Sequence, residues 1–275
     1  MDRLPFGVAR LDALLGGGPP KGSVVLLAGE PGAGAREFLA TCALMNALGN
    51  EDPEAFERHY GGPPAGRPET VEYVSLTDDP AALRAEFETA FDREFVERAT
   101  EGVEFGDLSS SYFGLSPVPR EWYAHATPDI EALGDRGDRH GVFETLATHL
   151  SERAHGSLVC LDSVTDLLAA DADRSASDVA TVLKGVRRAA SDWGGLVVLL
   201  LDRSTVSATE RGMLENAVDA TLTFRWERGG SELARTMELT KFRGVLPTLD
   251  PEDLLTFETE FRDAGFAVSD VRKIR

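Results

Sequence analysis

The sequence is short of positive charge and almost without lysine. Residues 21, 184, 241 and 273 are its four lysines, and 28 basic residues face 47 acidic ones, for a formal net charge of -19. The acids are spread along the chain, so its field opposes nucleic acid. Cysteine is scarce as well: Cys42 and Cys160 each lie within apolar sequence. That excludes a disulfide framework or a cysteine metal site and predicts two buried thiols. The longest apolar run, LVVLLL at 196–201, is far too short to cross a bilayer. No charged-then-apolar leader opens the chain, so the expected location is the cytoplasm. The five histidines, at 59, 125, 140, 149 and 155, form no metal-ligand pattern, and no Ser/His/Asp arrangement is legible.

What is present suits one large α/β domain over residues 1–275, with 42 % hydrophobic residues to build a core. Abundant acids, few lysines and ample alanine resemble the proteins of salt-in halophilic archaea. Apolar runs and breakers predict an alternation of strands and helices. A short helix in VARLDALL ends at Gly16–Gly18. SVVLLAG at 23–29 reads as a strand buried on both faces, and a helix follows over about 34–48. The segment 50–68 reads as a Pro/Gly-rich surface insertion. TVEYVSLT at 70–77 is a strand, and a helix is expected from about Pro80 to Thr100.

VEFGDLSSSYF is a strand candidate, and the insertion 106–141 is loop-rich after it; its RGD triplet at 136–138 is an ordinary loop in an acidic chain. A helix in GVFETLATHLSERA leads to the strand of SLVCLDSVTDLL, ending at Asp162. The helix ASDVATVLKGVRRAASDW leads to GLVVLLLDRS, ending near Asp202. Residues 218–275 change character and read as two antiparallel hairpins. The expected fold is a mostly parallel central sheet flanked by helices, with an antiparallel C-terminal extension.

One stretch carries chemistry. AGEPGAGAREF, at 28–38, is shaped like a phosphate cradle of the form G-x-x-x-x-G-K-[ST], in which backbone N–H groups and a helix N-terminus hold phosphate. Gly29, Glu30, Pro31, Gly32, Ala33 and Gly34 form the loop, with Ala35 at the lysine position and Arg36 at the hydroxyl position. Losing one charge-assisted contact costs roughly 1.5 to 3 kcal/mol, about ten- to a hundredfold in affinity. The frame leaves room for weak ATP or ADP binding, whereas the missing hydroxyl argues against bound magnesium. Arg36 sits one step along the helix from the lysine position, a turn of about 100°. It reads as a solvated arginine, with phosphate binding as the alternative.

With these residues, PFGVARLDALLGGGPPKGSVVLLAGEPGAG resembles the opening of the RecA superfamily, specifically its KaiC-like and RadA-related ATPases, and the likeness extends along almost the whole chain. The resemblance implies a RecA-like P-loop fold. It puts Thr77 and Asp78 of YVSLTDDP where the family has two glutamates, one of which activates water. Asp78 and Asp79 also read as caps for the helix at Pro80. LVCLDS resembles the Walker B strand, which makes Asp162 the counterpart of the magnesium-associated aspartate. MELTKFRGVLP resembles a hairpin whose lysine and arginine reach a neighbouring subunit's nucleotide, here Lys241 and Arg243.

Three departures (Ala35, Arg36 and Thr77) fall where hydrolysis needs lysine, magnesium and activated water. The expected function is a non-hydrolysing regulatory or scaffolding protein of signal-transduction type. It would form a homo-oligomer, or a hetero-oligomer with an intact paralogue. One alternative is an active ATPase working through Arg36 or a partner subunit. Another is a recombination accessory protein on single-stranded DNA, which the charge and the lack of aromatics in RSTVSATERGM oppose.

Overall fold

The computed structural model describes residues 2–114, 116–123, 141–171, 174–229, 232–246 and 256–271. The RGD triplet and most of the expected loop-rich stretch before residue 141 lie outside them. The chain opens with α1 (Ala9–Leu14), β1 (Ser23–Gly29) and α2 (Ala35–Glu51), then α3 (Pro53–Tyr60), β2 (Val71–Ser75), α4 (Pro80–Ala90), α5 (Arg93–Ala99) and β3 (Val103–Asp107). It continues through α6 (Ser109–Phe113), α7 (Val142–Arg153), β4 (Leu158–Asp162), α8 (Val164–Ala169), α9 (Ala176–Trp193), β5 (Leu196–Asp202) and α10 (Ala208–Ala217). It ends with β6 (Ala220–Gly229), β7 (Glu232–Phe242), β8 (Phe257–Arg262) and β9 (Gly265–Val271).

The strands form one sheet in the order β3-β2-β4-β5-β1-β6-β7-β8-β9. The first six in that order pair in parallel, and β6 to β9 pair antiparallel. Successive side chains of a strand point to opposite faces, and both faces here are dry. Val25 and Leu27 of β1, with Leu158 and Cys160 of β4, pack into one core that includes Phe38, Leu39 and Phe87. Val24 and Leu26, with Val159 and Leu161, pack into the other, against Leu150, Val179 and Leu183. Both cysteines are buried free thiols, as their apolar surroundings predicted.

Two local expectations are corrected, and one helix is added. The 50–68 insertion contains α3, started by Asp52, whose carboxylate accepts from Ala55 N with Pro53 at the first turn. The helix expected over 80–100 is two, because Asp92 caps a new start through Phe95 N. The segment after Asp202 forms α10, opened by a Ser207–Glu210 capping box.

Candidate functional site

The C-terminal ends of parallel strands are where open α/β sheets bind ligands, and the loop of residues 29–34 lies there, between β1 and α2. Two backbone requirements shape it. Gly34 has φ 106°, and a Cβ there would stand 3.0 Å from the Phe266 ring. A Cβ on Gly29 would come within 2.5 Å of the Ala35 Cβ, so glycine at 29 lets the turn close. Ala35 is itself buried. No side chain caps α2 at Gly34, which leaves its first-turn N–H groups facing the cleft.

The outer side of the loop is fastened by the hairpin of β6 and β7. Trp226 N donates to Glu30 Oε2 at 3.1 Å, Trp226 Nε1 to Pro31 O at 3.0 Å, and Arg235 Nε to Gly32 O at 2.9 Å. The Arg235 guanidinium lies over the Trp226 and Phe261 rings, 4.5 and 4.7 Å from their centroids. The three hydrogen bonds were not legible in the sequence, since each joins residues about two hundred positions apart.

The loop, Thr77, Asp162 and Asp202 line one cleft of about 380 Å³. Asp162 ends β4 and is buried; Tyr73 OH donates to its Oδ2 at 3.0 Å. Burial pushes its carboxyl up from 3.8 to about 6, against the lowering by Arg36 and Tyr73. The turn after β2 is pinned by Ser75 Oγ, which accepts from Thr77 N and Asp78 N. That turn separates the two neighbouring acids. Asp79 caps α4 through Ala81 N and Ala82 N, as expected of it, while Asp78 Oδ2 turns to Arg36 Nη2.

Arg36 is not the solvated arginine expected. Its Nη2 lies 2.7 Å from Asp162 Oδ2 and 3.3 Å from Asp78 Oδ2, and its Nε lies 2.8 Å from Glu86 Oε1 of α4. Burial alone would lower the guanidinium pKa, but the charge of Asp162 first, with those of Glu86 and Asp78, leaves it raised.

Lys241 and Arg243 stand at the other end of the sheet. Thr221 is the partner of Lys241 across β6 and β7, near the start of β6, whereas the loop follows the end of β1. Lys241 Nζ donates to Glu215 O at 2.5 Å and Val218 O at 2.6 Å, and Arg243 Nη2 to Asn216 O at 3.5 Å. Both cations thus serve the C-terminal carbonyls of their own α10. A cleft beside them is lined by Arg3, Lys21, Arg187, Arg188 and Arg243 against Asp192 and Asp219.

Among the described residues, no helix is long and apolar enough to cross a membrane, and no group of three or more His, Cys, Asp or Glu is placed to hold a metal ion.

Sheet order, flanking helices and the loop after β1 together fit a RecA-like fold. A KaiC-like protein from the hyperthermophilic archaeon Pyrococcus horikoshii shares it, with a TM-score of 0.63 over 98 % of this chain and 99 % of that one, at 18 % identity. Two UPF0273 proteins are similar in sequence. That of Methanocaldococcus jannaschii is 24 % identical over 257 residues, 90 % of each chain, and that of Aeropyrum pernix 25 % identical over 253 residues, 89 % of this chain and 86 % of its own. No family model matches the chain.

Proposed function

We propose that this chain is a non-hydrolysing protein on a KaiC-like RecA fold, used as a regulatory or scaffolding component. The observation that carries the proposal is the capture of Arg36 by Asp162, Asp78 and Glu86. A guanidinium committed to three carboxylates is poorly placed to stand in for the phosphate-binding lysine that Ala35 replaces. The loop keeps its shape and its helix N-terminus, which supports weak ATP or ADP binding through backbone N–H groups. With Thr77 in place of an acid and Asp78 paired with Arg36, neither position matched to the family's two glutamates offers a free carboxylate to activate water.

The cleft of five cations on a chain of net charge -19 supports association with an acidic surface, either a second copy or an intact paralogue. The acidic surface also supports a high-salt cytoplasm as the working medium.

Calorimetric titration with ATP and ADP, with and without magnesium in concentrated KCl, run beside a phosphate-release assay, tests the proposal. Weak binding without turnover is expected. Steady magnesium-dependent phosphate release by the purified chain refutes it.

A further inference from the structure

The RecA-like fold implies a divalent cation at Asp162, and the residues present do not fit one. From this disagreement, and resting on the non-hydrolysing reading, we infer that the Arg36 guanidinium is the resident cation of the site: it stands on the carboxylates a divalent ion would use and keeps that ion out.

Three features carry the inference. The first is convergence. A single nitrogen, Arg36 Nη2, contacts both Asp162 Oδ2 and Asp78 Oδ2, while Nε meets Glu86. Carboxylates from the end of β4, the turn after β2 and the face of α4 therefore share one positive group, an arrangement that without it would set negative charges against one another. The second is burial. The Asp162 side chain is 4 % exposed, and a buried carboxylate requires a partner. Tyr73 supplies a hydrogen bond but no charge; Arg36 supplies the charge.

The third is steric and electrostatic exclusion. A divalent ion on Asp162 Oδ2 would have to stand within about 2–3 Å of that oxygen, which is where Nη2 already lies. Displacing the guanidinium would break contacts to three acids at once. Magnesium is commonly held by one or two carboxylates with water completing its shell. Asp162 and Asp78 would suffice once the arginine is gone, even though the described residues hold no larger metal-ligating cluster.

The guanidinium also takes over a positioning task. Through it the first turn of α2, the β2–α4 turn and the end of β4 are tied together without a metal.

The test is manganese binding followed by electron paramagnetic resonance, without nucleotide, on the full chain. Wild type, Arg36→Lys, Arg36→Ser, Asp162→Asn and the Arg36→Ser/Asp162→Asn pair are compared, with circular dichroism as the check of folding. Wild type and Arg36→Lys are expected to show only the weak background binding of an acidic surface. Arg36→Ser is expected to gain a site at least about tenfold tighter, equivalent to ~1.4 kcal/mol, which the added Asp162→Asn change abolishes. A wild-type site that disappears in Asp162→Asn overturns the inference, as does a folded Arg36→Ser that gains nothing. Should Arg36→Ser fail to fold, the wild-type and Asp162→Asn comparison still decides. Because no nucleotide is present, failure here is separate from failure of the non-hydrolysing reading, which phosphate release alone determines.

Discussion

Replacing Arg36 by methionine keeps most of the stem and removes the charge. Taking away one partner of a buried ion pair costs about 3–5 kcal/mol, and exposed pairs are worth about 0.2–1 kcal/mol. The Arg36 side chain is 40 % exposed, so screening brings the Asp162 contribution down to ~2 kcal/mol, and the half-exposed pairs with Asp78 and Glu86 add ~1 kcal/mol together. The loss must depend on pH. Burial raises the Asp162 carboxyl from 3.8 to about 6, so its negative charge costs stability above that value and the cost fades as the acid protonates. Arg36 offsets that cost only while Asp162 is charged. Urea unfolding followed by far-ultraviolet circular dichroism, at constant salt, is expected to give a loss of ~3 kcal/mol near about pH 8 that shrinks to ~1 kcal/mol near about pH 5. An equal loss at both pH values, or none at either, refutes the claim that Arg36 neutralises a buried Asp162.

Asp12 is wholly buried, accepts from Phe6, Gly7 and Val8 N and from Tyr60 OH, and is pushed up to about 7 by burial against those bonds. Asp12→Asn turns an acceptor into a donor facing donors and should cost ~3 kcal/mol in chemical denaturation. Because both raised carboxyls bind protons more readily in the folded state, wild-type stability should rise as pH falls from about 7 towards about 4. That slope should flatten in Asp12→Asn. Lys241→Met leaves Glu215 O and Val218 O without their donor and should lower stability by ~1–2 kcal/mol, whereas exposed Arg243→Ala should stay within about 0.5 kcal/mol. Gly34→Ala forces a side chain to φ 106° beside Phe266 and should cost ~1–3 kcal/mol by thermal melting.

The sheet was legible where sequence and burial coincide. β1 and β5 are continuous apolar runs, and α9 spans the expected residues because its amphipathic pattern is unbroken. α10 was missed because its buried apolar side is sparse, chiefly Leu214 and Ala217, although the Ser207–Glu210 spacing is a start signal by itself. The break at Asp92 was missed because an acid inside a helical pattern looks the same as an acid that caps one. In the site, the loop and Asp162 are local signals and were read directly. The partners of Arg36 were not, since they come from three elements that only the parallel sheet order brings together. The separate duties of Asp78 and Asp79 depend on the Ser75 turn, which composition cannot convey.

The indole that leans on the glycine loop has one more use. Trp226 rests on Pro31 and under Arg235, while Trp122 is largely in solvent and Trp193 lies against His155. Of the three, Trp226 alone touches the cradle, so the molecule carries its own dye there. Its emission is expected to shift when something settles on the loop and to stay constant when events occur at the far, cationic end.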